Sequence, residues 1–88
     1  MSEHPQIPIE RVQTGVRIEK RLLKVLKALA EMHDVGLGDL LEGIVLHAFE
    51  GQSPFGPESI AKIEQLKAVY GLDYSAAAAH HFSEEHPA

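Results

Sequence analysis

The sequence predicts a mainly α-helical protein with one short N-terminal β-strand and a helical C-terminal extension. Three observations predict this class. Residues 12–18 alternate between two kinds of side chain, residues 19–49 repeat apolar side chains at helical spacing, and no other segment has the pattern of a strand. A lone strand leaves its backbone N–H and C=O groups unpaired. We therefore expect an intertwined homodimer in which the strands of two copies pair as a two-stranded antiparallel intersubunit ribbon.

The predicted strand has two different faces. One face carries Val12, Thr14, Val16 and Ile18, and we expect Val16 and Ile18 to cover a core shared by the helices of both copies. The opposite, more polar face carries Gln13, Gly15 and Arg17. Residues 1–11 contain two prolines and are expected to form a flexible N-terminal arm.

Two helices are predicted directly after the strand. Apolar residues recur at helical spacing over about residues 19–33, while basic side chains occupy the remaining face. A turn at residues 33–36 leads to a second helix that runs through Phe49 and ends at Gly51. Gly43, inside this helix, suggests that another backbone packs closely against it.

The C-terminal extension, residues 52–88, is also predicted to be helical. Pro57 suits the first turn of a third helix, which carries an apolar stripe and ends at Gly71. Asp73 can cap a last short helix over residues 76–79, and the tail after it is expected to fray.

Charge is distributed unevenly along the chain. The net charge is −5, but residues 10–27 hold six of the eight basic residues against two acids. The rest of the chain has two lysines and eleven acids. A basic segment in an otherwise acidic protein is typical of a one-sided nucleic-acid binder, and it is also compatible with an ordinary solvated helix face.

The composition excludes several kinds of site and predicts the cellular compartment. Cysteine is absent, which excludes disulfides, thiolate zinc sites and a cysteine nucleophile. No apolar stretch is long enough to span a membrane, and the first eight residues do not have the pattern of a signal peptide. We therefore expect a cytoplasmic protein that makes no membrane contact.

Residues 13–49 resemble a known family. The segment Gln13-Thr-Gly-Val-Arg-Ile-Glu-Lys-Arg-Leu-Leu-Lys-Val-Leu-Lys-Ala-Leu-Ala-Glu, continued without insertion to Phe49, is similar in pattern and spacing to the ribbon-helix-helix family of Arc- and methionine-repressor-like DNA-binding proteins. The resemblance covers under half of the chain. It implies that residues 12–51 form a ribbon-helix-helix dimerisation and DNA-binding domain.

The resemblance also implies which residues contact double-stranded DNA. In this family the ribbon enters the major groove, and three alternating side chains touch base edges; here these are Gln13, Gly15 and Arg17. The N-terminus of the second helix holds a phosphate with its backbone amides. The predicted phosphate contacts are Arg11, Lys20, Lys24, Gly36, Leu37 and Gly38.

Two functions follow from these residues. The first is a dimeric, sequence-specific DNA-binding protein that acts as a transcriptional repressor. The alternative is a protein-interaction module, antitoxin-like or a dimer that does not bind DNA, whose partner docks on the acidic C-terminal extension. No catalytic residues and no cofactor are predicted, and no metal site either, since His80, His81, Glu84 and His86 lack the spacing of helical metal motifs.

Overall fold

The computed structural model describes residues 6–85, and within this range the protein contains three α-helices. They are α1 (Lys20–Met32), α2 (Leu37–Phe49) and α3 (Pro57–Tyr70), followed by one 3₁₀ turn at Ala76–Ala78. The predicted helices are confirmed, with ends within a few residues of the expected positions. None of these helices combines the length and apolarity needed to cross a membrane.

The predicted strand is wrong. Over residues 6–85 no strand forms, and residues 6–19 run as irregular chain ahead of α1. Val16, expected in the core, is 72% exposed. The physical reason is that no neighbouring segment of the described chain lies alongside residues 12–18 to exchange backbone hydrogen bonds, and side-chain alternation alone does not hold a strand. The ribbon-helix-helix fold, with its intersubunit ribbon and intertwined homodimer, is therefore corrected to an all-helical architecture.

All three helices end in the same way, with a residue in the left-handed backbone region. After α2 and α3 this residue is a glycine, Gly51 (φ 69°) and Gly71 (φ 70°), as the sequence predicts. After α1 it is Asp34, with φ 57°. There the Val35 amide bonds the Ala30 carbonyl at 3.0 Å and the Asp34 amide bonds the Glu31 carbonyl at 3.1 Å, which is the Schellman arrangement.

The helix starts differ from one another. Glu19 caps α1, because its carboxylate accepts hydrogen bonds from the Arg21 and Leu22 amides at 3.0 and 3.2 Å. Glycines precede α2 and α3 and provide no side-chain cap. The 3₁₀ turn is capped by Ser75, whose hydroxyl accepts from the Ala77 amide. The prediction that Asp73 caps this segment is wrong.

The core lies between α1 and α3. Val25, Leu29 and Ala30 of α1 are buried, together with Leu72, which follows the turn after α3. Helix α1 packs mainly against α3 and less extensively against α2, and no residue of α2 is buried. A Cβ built at Gly43 would meet no atom within 4 Å, so the expected close approach of another backbone is not present in the described part of the chain.

Candidate nucleic-acid interface

The basic segment, residues 11–27, spans the irregular chain and most of α1. Its lysines share one side of the helix, because Lys20, Lys24 and Lys27 follow one another at i, i+4 and i+7. All three are exposed. We call these three residues the lysine face.

The lysine face keeps its charge free. No carboxylate among residues 6–85 forms an ion pair with any of its three ammonium groups. Lys24 lies over the ring of Tyr70, with its Nζ 6.0 Å from the ring centroid, a distance at the outer limit of a cation–π contact. Three unpaired cations along one helix are therefore available to an anionic partner.

The three residues predicted to touch bases lie together on the irregular chain. Gln13, Gly15 and Arg17 are all exposed, although they stand on no ribbon. Arg17 is in addition ion-paired with Glu84, near the end of the described chain. The side chain best suited to read guanine therefore already holds an anion, and that partner was not foreseen from the sequence.

Arg11 is paired as well. Its guanidinium donates from Nε to Glu42 Oε2 at 3.0 Å and from Nη2 to Glu42 Oε1 at 2.8 Å, a two-pronged contact with α2. The hydrogen bond and charge of Arg11 lower the pKa of Glu42, and those of Glu42 raise the pKa of Arg11. Both side chains are exposed, so water and salt weaken this pair.

Arg21 is the most fully engaged cation of the segment. Its guanidinium donates to Glu19 Oε2 at 3.3 Å, to Asp73 Oδ1 at 3.2 Å and to the Gly71 carbonyl at 3.1 Å. It also lies 5.5 Å from the centroid of the Tyr74 ring. These contacts hold the chain after α3 against the start of α1.

The start of α2 is open to an anion. Gly36 is the N-cap and provides no side-chain acceptor, so the first amides of the helix, at Leu37 and Gly38, have no partner in the described chain. Amides and helix dipole both favour negative charge here. The carboxylate of Asp39 in the first turn opposes a second anion at this position.

Among the three helices, α2 carries the most exposed large apolar side chains. Val45, Leu46 and Phe49 are 42%, 60% and 80% exposed, and we call them the apolar face of α2. Met32, at the end of α1, is also exposed. A helix that carries so much apolar surface without burying a single residue is typical of an interaction surface.

Sequence reasoning missed the acids that meet the arginines. Each acid lies far along the chain from the arginine that it contacts. The separation is 31 residues for Glu42, 52 for Asp73 and 67 for Glu84. No local pattern encodes such distant pairs. The signal that the sequence offers is the separation of a basic segment, residues 10–27, from an otherwise acidic chain.

Within residues 6–85 no three histidine or acidic side chains come together in a way that could hold a metal ion; His86 lies outside the described residues.

No protein-family model matches this chain, and no significant match to it was found among curated proteins or among solved structures.

Proposed function

We propose that this chain is a DNA-binding protein that acts as a pair of identical copies and regulates transcription. The observation that carries the proposal is the lysine face: Lys20, Lys24 and Lys27 are exposed, aligned and unpaired in a protein whose net charge is −5. Phosphate contacts of this kind supply nearly all of the sequence-independent affinity of DNA-binding proteins.

The dimensions support this proposal. Seven residues of helix from Lys20 to Lys27 rise by about 10 Å. Phosphates of one DNA strand are spaced by about 3.4 Å along the duplex axis, so the lysine face spans roughly three of them. Gln13 and Arg17, on the exposed chain just before α1, are then the side chains we propose to reach bases. Glutamine suits adenine and arginine suits guanine.

Self-association is supported by the weak core of the single chain. An 88-residue chain has little apolar surface to bury, and here α2 buries none of its residues. The Cα radius of gyration is 15.1 Å, against about 12 Å for a compact domain of this length. A second copy packed on the apolar face of α2 would cover this surface.

The salt dependence of DNA affinity tests the lysine face. We compare Lys24→Gln with Lys62→Gln, a lysine on α3 outside the basic segment, on a fluorescein-labelled mixed-sequence duplex. The slope of log K against log salt is negative, and each lost phosphate contact makes it less steep by about 0.9 per protomer. Equal slopes for both variants and the wild type, or no salt-sensitive binding by any of them, would refute the proposal.

Sedimentation equilibrium tests the association. Leu46→Glu places a charge in the apolar face of α2 and is expected to yield monomers at concentrations where the wild type associates. Val69→Glu is the matched control, because Val69 is equally apolar and 72% exposed on α3. A monomeric wild type, or equal effects of both variants, would show that α2 does not mediate self-association.

A second candidate is a module that binds a different protein through the same face. It is favoured by the exposure of Phe49, since large exposed aromatic residues are common at the centre of protein interfaces. The acidic C-terminal extension is less suited to this role, because Asp73 and Glu84 already contact arginines of the same chain. Stoichiometric recovery of one protein that Phe49→Ala abolishes, with no retention of DNA, would favour this candidate.

A further inference from the structure

The chain after α3 returns to the basic segment. This C-terminal segment, residues 72–85, begins with buried Leu72 and passes Tyr74, whose hydroxyl donates to Glu19 at 2.7 Å. Phe82 meets the Tyr74 ring edge-on, with 5.0 Å between centroids. Apolar and polar contacts thus hold the segment against the start of α1.

Two carboxylates of this segment form ion pairs with arginines of the basic segment. Asp73 accepts from Arg21 at 3.2 Å, and Glu84 pairs with Arg17. A carboxylate and a DNA phosphate compete for the same donors of a guanidinium, because both accept the same planar pair of N–H groups. While both pairs persist, neither arginine is free for DNA.

The contact is built so that it can open. The Arg17 side chain is 78% exposed and that of Glu84 is 55% exposed, so water and salt weaken their attraction. A half-open apolar groove of about 340 Å³ lies between the segment and the helices, bordered by Leu26, Ile63 and Phe82 among others. Loose packing forfeits attractive contacts, which lowers the cost of lifting the segment.

We propose that the C-terminal segment is an intramolecular competitor of DNA: Asp73 and Glu84 occupy Arg21 and Arg17, and DNA binds fully only when the segment is displaced. This proposal rests on the proposed function and adds a regulation of the same surface. It assigns the acidic extension a role toward its own chain. Displacement frees Arg17, leaves Arg21 paired with Glu19 alone, and removes two carboxylates from the path of the phosphates.

The test uses the full chain and a fluorescein-labelled mixed-sequence DNA duplex, with affinity measured by fluorescence anisotropy. Glu84→Gln removes the acid that meets Arg17, and Glu85→Gln removes one equal charge from the neighbouring position, which forms no ion pair with residues 6–85. We expect Glu84→Gln to tighten binding roughly two- to five-fold more than Glu85→Gln, the range of an exposed ion pair. Phe82→Ala loosens the segment without altering charge and should also tighten binding.

The outcomes separate this proposal from the proposed function. Salt-sensitive binding by the wild type with equal affinities for Glu84→Gln and Glu85→Gln overturns the competition and leaves DNA binding in place. Binding by Glu84→Gln where the wild type shows none supports it. Absence of binding by every variant overturns both. Circular dichroism of each variant establishes that the helices are retained.

Discussion

Glu19 is expected to be the acid on which the stability of this protein depends most. Burial raises its pKa, but hydrogen bonds from the Arg21 amide, the Tyr74 hydroxyl and the Leu22 amide outweigh burial, so the pKa falls from 4.5 to about 2. The carboxylate caps α1 and at the same time anchors the C-terminal segment through Tyr74. The perturbation is Glu19→Gln, which keeps an acceptor and removes the charge.

The magnitude follows from linkage. A pKa lowered on folding stabilises the folded state above the unfolded pKa, and this contribution is lost as pH falls from about 4.5 towards 2. One pKa unit corresponds to about 1.4 kcal/mol, so the shift sets a ceiling of about 3 kcal/mol. Since 26% of the Glu19 side chain is exposed, water screening reduces this, and we expect a loss of about 1–2 kcal/mol at neutral pH.

Urea unfolding followed by circular dichroism at a series of pH values measures this contribution. The wild type should lose stability between about pH 4.5 and pH 2 more steeply than Glu19→Gln, since the variant has no such proton to take up. Glu31→Gln, an exposed acid on the same helix, is the control and should follow the wild type. If Glu19→Gln and Glu31→Gln have the same midpoints and the same pH dependence, the cap and anchor assigned to Glu19 are refuted.

Four further substitutions test the backbone and the anchor. Asp34→Gly should raise the free energy of unfolding by about 0.5–1 kcal/mol, because φ at Asp34 is 57°, where glycine is unstrained; a loss in urea unfolding would contradict this. Gly43→Ala should raise the melting temperature, because alanine favours the helix by about 1 kcal/mol over glycine and its Cβ would meet open space. Gly51→Ala should lower the melting temperature, because φ at Gly51 is 69°. A destabilising Gly43→Ala would instead mean that a second copy packs on that position. Tyr74→Phe should cost about 1 kcal/mol in urea unfolding through loss of its hydrogen bond to Glu19, and an unchanged midpoint would argue against that bond.

The helices could be predicted because their signals are local. Apolar spacing locates α1, α2 and α3, and the glycines at 51 and 71 lie where the chain must enter the left-handed region. The short 3₁₀ turn was placed correctly, but its cap was assigned to Asp73 instead of Ser75. Both residue types cap helices well, so propensity alone could not choose between them.

The strand prediction is wrong because a strand depends on a partner that lies elsewhere in space. Alternation over residues 12–18 reports which side chains would share a face, but a strand exists only where another strand lies beside it to exchange hydrogen bonds. That requirement is not encoded within seven residues. The same limit explains why Arg11 and Arg17 could be predicted as candidate contacts while the carboxylates that hold them could not.

The division between lysines and arginines has a consequence for the proposed function. All three arginines of the basic segment are engaged by carboxylates of the same chain, whereas the three lysines of α1 are not. A lysine ammonium attracts any phosphate as a point charge, and an arginine fork distinguishes guanine from other bases. Under the proposed function, the free lysines supply affinity that is independent of DNA sequence. Arg17 distinguishes one base from another only after its ion pair with Glu84 breaks. Salt would then weaken both the lysine contacts and the Arg17–Glu84 pair, so sequence preference should change with ionic strength in a way that Glu84→Gln removes.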